Sequence, residues 1–169
     1  SRFRRYACPP RSSKVAANQK EGTLGLTTSL LVAVDVGTGS ARAGVLTPQG
    51  VLLGRAEQPI AMHRTDANHA EHDSEQIWRA VCAAVRDAMA LAGARPEQVV
   101  GLGFDATCSL VVRDANGQPL TVSTSGDDRW DTIVWLDHRA LKEADECTRT
   151  GHEVLSYAGG VFVWFASAL

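Results

Sequence analysis

The run Leu30-Leu31-Val32-Ala33-Val34-Asp35 is apolar until its last residue and is closed by Gly37-Thr38-Gly39-Ser40. That pattern predicts a buried strand ending in a turn. Ala43, Val45 and Leu46 supply a second strand, Pro48-Gln49-Gly50 the next turn, and Val51 to Glu57 a third strand. An antiparallel meander is the expected start of the domain. A polar loop carrying His63, His69 and His72 follows, and it reads as solvated surface. Asp73 is then placed to cap a helix, with Gln76 three residues on as in a capping box. Ile77, Val81, Val85 and Met89 recur at helical spacing with Trp78 and Cys82 beside them, which makes these side chains core, and Gly93 and Pro96 end the helix near Ala92.

Val99 to Phe104 reads as a buried strand, interrupted at Asp105-Ala106-Thr107-Cys108 and continued by Ser109 to Arg113. Asp114-Ala115-Asn116-Gly117 has hairpin-turn chemistry. Ile133 to Leu136 is a further short strand, and Ala140 to Thr148 a helix. The order β-β-β-α-β is that of an α/β domain of the RNase H-like class.

Composition narrows the classes of function. A formal net charge of -2 over 169 residues, with 44% hydrophobic and 21% charged residues, describes a globular protein without the basic surface that nucleic-acid binding requires. The apolar runs fall short of the roughly 20 residues of a membrane span. The four cysteines, Cys8, Cys82, Cys108 and Cys147, are far apart and form no metal-ligand pattern, so reduced thiols and a cytoplasmic location are expected. Residues 1–29 differ in character: Arg2, Arg4, Arg5, Arg11, Lys14 and Lys20 face the single acid Glu21. Such a stretch is either a transit-like presequence or, as expected here for want of an apolar face, a disordered or non-native extension.

The chemistry concentrates in Asp35-Val36-Gly37-Thr38-Gly39-Ser40-Ala41-Arg42. Two glycines free the backbone to turn its N–H groups toward one point, and Thr38 and Ser40 add hydroxyls, a combination suited to phosphate. A dinucleotide fingerprint needs glycine where Arg42 stands and a helix after it, whereas here a strand continues. A Walker A loop needs a Gly-Lys-Ser/Thr that is missing.

The pattern D-x-G-T-x-x-x-R on a hairpin resembles the first phosphate motif of the FGGY carbohydrate kinases, within the actin-like ATPase superfamily. The resemblance implies that Asp35 lies near Mg²⁺, that Gly37, Thr38, Gly39 and Ser40 bind the phosphates of ATP, and that Arg42 stabilises charge on the transferred group. Gly101 to Val112, Trp135 to Ala140 and Tyr157 to Val161 are similar to the pentulose kinase branch of that family. That similarity implies a sugar side formed by Asp105, Thr107, Cys108, Asp137 and Arg139, with D-ribulose as the substrate and xylulose, L-ribulose or glycerol as alternatives. From the residues alone, Asp105 and Thr107 serve equally as caps of the broken strand, and Asp137 and Arg139 equally as an internal ion pair. The three loop histidines are not expected to hold a metal.

Members of the family are considerably longer, with a second domain that supplies an adenine pocket and a later aspartate base. Residues 30–161 therefore correspond to part of an N-terminal kinase domain. After Val161 the chain departs from the family pattern, and 162–169 read as an aberrant apolar tail in which Phe162, Trp164 and Phe165 favour self-association. The piece alone is expected to be inactive, or to act as a non-catalytic binding remnant.

Overall fold

The computed structural model describes residues 29–162. The expectations for the N-terminal extension and for 163–169 lie outside those residues.

Strands β1 (Leu30–Val36), β2 (Ser40–Leu46) and β3 (Leu52–Pro59) form the antiparallel meander, and the two-residue strand β4 (Glu71–His72) precedes helix α1 (Ser74–Leu91). Strand β5 (Val99–Ala106) returns parallel to β1, giving a mixed sheet of order β3-β2-β1-β5. The short strands β6 (Leu110–Val111) and β7 (Thr132–Ile133) pair with β4 in a second sheet of order β4-β7-β6, and helix α2 (Leu141–Arg149) follows. Leu110–Val111 is therefore not a continuation of β5. The chain leaves the first sheet at Thr107 and contributes to another. The strand expected over 133–136 is shorter and earlier, because Val134 and Trp135 bond outward to Ala70 and Ser109 instead of extending the ladder.

Alternation explains the first sheet. Leu30, Val32 and Val34 of β1 and Ala41, Ala43 and Val45 of β2 point to one face and meet Ala80, Val81, Ala84 and Ala88 of α1. Small side chains on that helix face let it lie close to the strands. The contact is tightest at Gly54 of β3, where an added Cβ would come within 2.6 Å of the Ala88 carbonyl oxygen and 2.7 Å of the Ala92 nitrogen. The cap works as expected: Asp73 Oδ1 accepts from Gln76 N at 2.9 Å. Gln76 does not complete the capping box, because its side-chain oxygen accepts instead from Ala61 N at 2.9 Å and fastens the preceding loop. At the other end Gly93 takes φ +60°, and Ala94 N donates to Met89 O, so glycine is needed there.

α1 covers β1 to β3 but hardly reaches β5, so Leu102 and Phe104 remain exposed beside an apolar cleft lined by Val32, Val85, Met89 and Val99. Among the described residues Cys108 and Cys147 are free thiols, and Cys82 lies on the buried side of α1. Among the described residues no helix is long and apolar enough to cross a membrane.

Candidate functional site

On the sheet face away from α1 the apolar alternation gives way to one polar row. Strand register pairs Glu57 with Arg42, Arg42 with Asp35, and Asp35 with Asp105, so these residues cross all four strands at one level. Asp35 and Asp105 lie at the C-terminal ends of the parallel pair β1 and β5, the end at which open α/β sheets present their ligand sites. Arg42 Nη1 donates to Asp35 Oδ2 at 2.7 Å, and its Nε donates to Glu57 Oε1 at 3.4 Å. All three side chains are between two-fifths and one-half exposed, so the ion pairs orient the groups more than they stabilise the fold. Hydrogen bonding to Asp35, and then to Glu57, raises the Arg42 pKa further above its already high ordinary value.

The turn beside this row is closed by Gly37 N donating to Ser40 O at 2.9 Å, and Ile60 N donates to Gly39 O at 2.9 Å. Neither glycine has the left-handed φ found at Gly50 or Gly117. Their value is space. A Cβ on Gly37 would meet both terminal nitrogens of Arg42 at 3.6 Å, and a Cβ on Gly39 would meet nothing within 4 Å. Open volume beside a guanidinium and a threonine hydroxyl fits a phosphate group. Asp35 and Asp105, paired in the parallel ladder, are oxygen donors of the kind taken by a divalent cation that keeps most of its water; among the described residues no cluster of three or more His, Cys, Asp or Glu is placed to hold a metal ion. Ser40 is buried, and its hydroxyl is the leading cause of the lowered pKa of the Glu57 carboxyl.

Thr107, Cys108 and Ser109 follow directly from the end of β5, beside the turn. Thr107 N donates to Val36 O at 3.1 Å, while Cys108 is exposed. Asp105 is exposed and accepts from its own neighbour, Ala106 N, at 2.9 Å. That bond is of the local capping kind that the sequence allowed for Asp105.

Asp137 and Arg139 are turned inward. Arg139 donates from Nε and Nη2 to Asp137 at 2.8 Å each, from Nη2 to Glu71 at 2.8 Å, and from Nη1 to the Val122 carbonyl at 2.6 Å. Asp137 also accepts from Ala70 N at 2.7 Å. Burial alone would raise the Asp137 pKa, but Arg139 and the N–H groups of Ala70 and Arg139 outweigh it and hold the carboxyl below its ordinary value.

The loop histidines are not surface groups. His72 is buried, and burial lowers its pKa against a smaller opposing influence of the Thr38 backbone. His63 stacks on Trp130 at 4.2 Å, and His69 Nδ1 lies 2.8 Å from Thr65 Oγ1. Trp135 was missed as a site residue: its indole Nε1 donates to Thr38 Oγ1 at 2.9 Å. Glu57 was missed too: counting back from the turn, where Leu46 pairs with Leu52, sets Ala56 opposite Arg42, and only the register shift between Val45 and Leu46 brings Glu57 there.

Residues 30–166 match the N-terminal domain of the FGGY family of carbohydrate kinases. The chain belongs to that family. The FGGY carbohydrate kinase domain-containing protein of Homo sapiens is 48% identical over 130 residues, 77% of this chain and 23% of that protein. A D-ribulokinase of Saccharomyces cerevisiae is 46% identical over 133 residues, 76% of this chain and 18% of that protein. This FGGY chain thus spans less than a quarter of the length of these curated relatives. Among solved structures, a xylulose kinase from Brucella ovis superposes with a TM-score of 0.65 at 21% identity, over 82% of this chain and 27% of that one. A Plasmodium falciparum glycerol kinase with ADP does so with a TM-score of 0.61 at 14% identity, over 82% and 27%. These likenesses establish the actin-like ATPase fold of FGGY sugar kinases, of which the chain holds part of one domain.

Proposed function

We propose that this chain is the phosphate-binding and sugar-side part of an ATP-dependent carbohydrate kinase that phosphorylates a ketopentose, D-ribulose before xylulose, L-ribulose or glycerol. The polar row Glu57-Arg42-Asp35-Asp105, set against the open Gly37 to Ser40 turn, is the observation that carries the reading. D-Ribulose is preferred because the D-ribulokinase is 46% identical, whereas a glycerol kinase of Citrifermentans bemidjiense is 30% identical.

In this reading Thr38 and the backbone of Gly37, Gly39 and Ser40 seat the phosphates. Arg42, held in place by Asp35 and Glu57, faces charge on the group being transferred. Mg²⁺, held through Asp35 with Asp105 beside it, would supply charge neutralisation on the nucleotide. Asp105, Thr107 and Cys108 line the sugar side. Asp137 and Arg139 support that side from beneath, spent on each other and on Glu71. The protein works in the cytoplasm on small molecules, and residues 30–161 supply one wall of a cleft that needs another to position both substrates.

The test is an ADP-release assay on the full-length protein with ATP, Mg²⁺ and each sugar. D-Ribulose is expected to give the highest kcat/KM. Asp35→Ala and Arg42→Ala are expected to lower kcat by about 100-fold or more while changing the KM for sugar little. Unchanged turnover in both variants would remove the assigned roles.

A further inference from the structure

Four hydrogen bonds join the phosphate turn to the sugar side in a closed circuit. Thr107 N donates to Val36 O at 3.1 Å, Thr107 Oγ1 lies 3.1 Å from Ser109 Oγ, Trp135 N donates to Ser109 Oγ at 3.3 Å, and Trp135 Nε1 donates to Thr38 Oγ1 at 2.9 Å. Val36 and Thr38 are separated only by Gly37, so the ring is complete. It gathers three segments that are up to 97 residues apart in sequence.

The bond to Thr38 has a directional consequence. An indole N–H only donates, so it occupies a lone pair of the hydroxyl and leaves the threonine proton as the donor for a ligand. Thr38 is therefore held through its side chain by a residue that the fold positions through Ser109 and Thr107. Trp135 itself is 40% exposed, so the ring is reachable from the sugar side.

We propose that Trp135 is a positioning residue that couples the two halves of the site, so that sugar beside Thr107 to Ser109 orders the Thr38 hydroxyl and raises affinity for the nucleotide phosphates. The coupling is reciprocal: bound nucleotide must raise sugar affinity by the same factor. This rests on the kinase reading above and adds the route between its two substrates.

The experiment measures, in the full-length protein, the dissociation constant of ATP with and without saturating sugar, for wild type, Trp135→Phe, Thr38→Val, Thr38→Ser and the Phe/Val double variant. Losing one neutral hydrogen bond from the ring is expected to reduce the sugar-dependent gain in ATP affinity about 3- to 10-fold in Trp135→Phe and equally in Thr38→Val. The double variant should show no further loss, and Thr38→Ser, which keeps the hydroxyl, should retain the gain. The indole N–H resonance of Trp135 should also move in Thr38→Val without any ligand, and circular dichroism identifies a variant that has lost its fold. Additive losses, or an intact gain in Trp135→Phe, overturn the coupling while leaving the kinase reading in place. A wild-type protein that phosphorylates no sugar or polyol overturns the kinase reading and this inference with it.

Discussion

In the sheet β3-β2-β1-β5 the buried side chains are Leu30, Val32, Val34, Ala41, Ala43 and Val45, facing alanines and Val81 of α1. In and around the sheet β4-β7-β6, with two residues per strand, the largest fully buried side chains include Glu71, Asp131, Thr132 and Asp137. One region is assembled by removing apolar surface from water, the other by satisfying carboxylates with Arg139, Arg113, Ser74 and backbone N–H groups. The two chemistries fail differently. Apolar burial degrades in proportion to the surface lost, whereas a buried charge network is nearly neutral while complete and costly once a partner is removed. The phosphate turn sits where the two regions meet, with its strands in the first and its Thr38 tied to Trp135 of the second.

The largest effect therefore belongs to the charged region. Arg139→Met preserves length and apolar stem but leaves Glu71 and Asp137 buried without their cation. A loss of about 3–5 kcal/mol is expected, the usual cost of breaking a buried pair from one side. Urea unfolding of the full-length protein measures it, and a variant that unfolds at the wild-type urea concentration would show that the small sheet is not held by this network. A smaller loss is expected in the apolar region from Gly54→Ala. The added methyl must displace the α1 backbone at Ala88 and Ala92, which costs about 1–3 kcal/mol by overpacking. If Gly54→Ala costs more than Arg139→Met, the contrast between the regions is inverted.

The same contrast explains what the sequence disclosed. The meander, α1 and β5 were legible because alternation and helical spacing record apolar burial directly, and the motif from Asp35 to Arg42 lies within one such hairpin. Only details failed there, such as the use of Gln76 to hold Ala61. The small sheet left no periodic trace. Its strands are too short to alternate, and its bonds join Ala70 to Asp137, Glu71 to Arg139 and Ser74 to Asp131, partners 57 to 68 residues apart. Polar side chains in Glu71-His72 look solvated in a linear reading. Their burial is decided by arginines that lie beyond the next strand. Trp135 was hidden for the same reason: nothing near position 135 announces a bond to Thr38.

The subtlest consequence concerns pH, because the buried region contains one group held neutral. Burial lowers the pKa of His72 from its ordinary value of 6.5. The unfolded chain then takes up this proton at a higher pH than the folded one, so stability from this group is complete above about 6.5 and is lost as pH falls through the folded pKa. Asp137 acts in the same sense but much lower, since its folded pKa lies below the ordinary carboxylate value and its contribution persists until the solution is strongly acidic. The two windows are separate. His72→Asn keeps a side-chain N–H in place of the ring and cannot titrate. The difference in unfolding free energy between wild type and this variant is therefore expected to be constant above neutrality and to move in the variant's favour as pH falls below about 6.5. A difference that stays flat from pH 7.5 to 5 would mean that His72 is protonated alike in the folded and unfolded chain, and the charged region would then owe its acid sensitivity to its carboxylates alone.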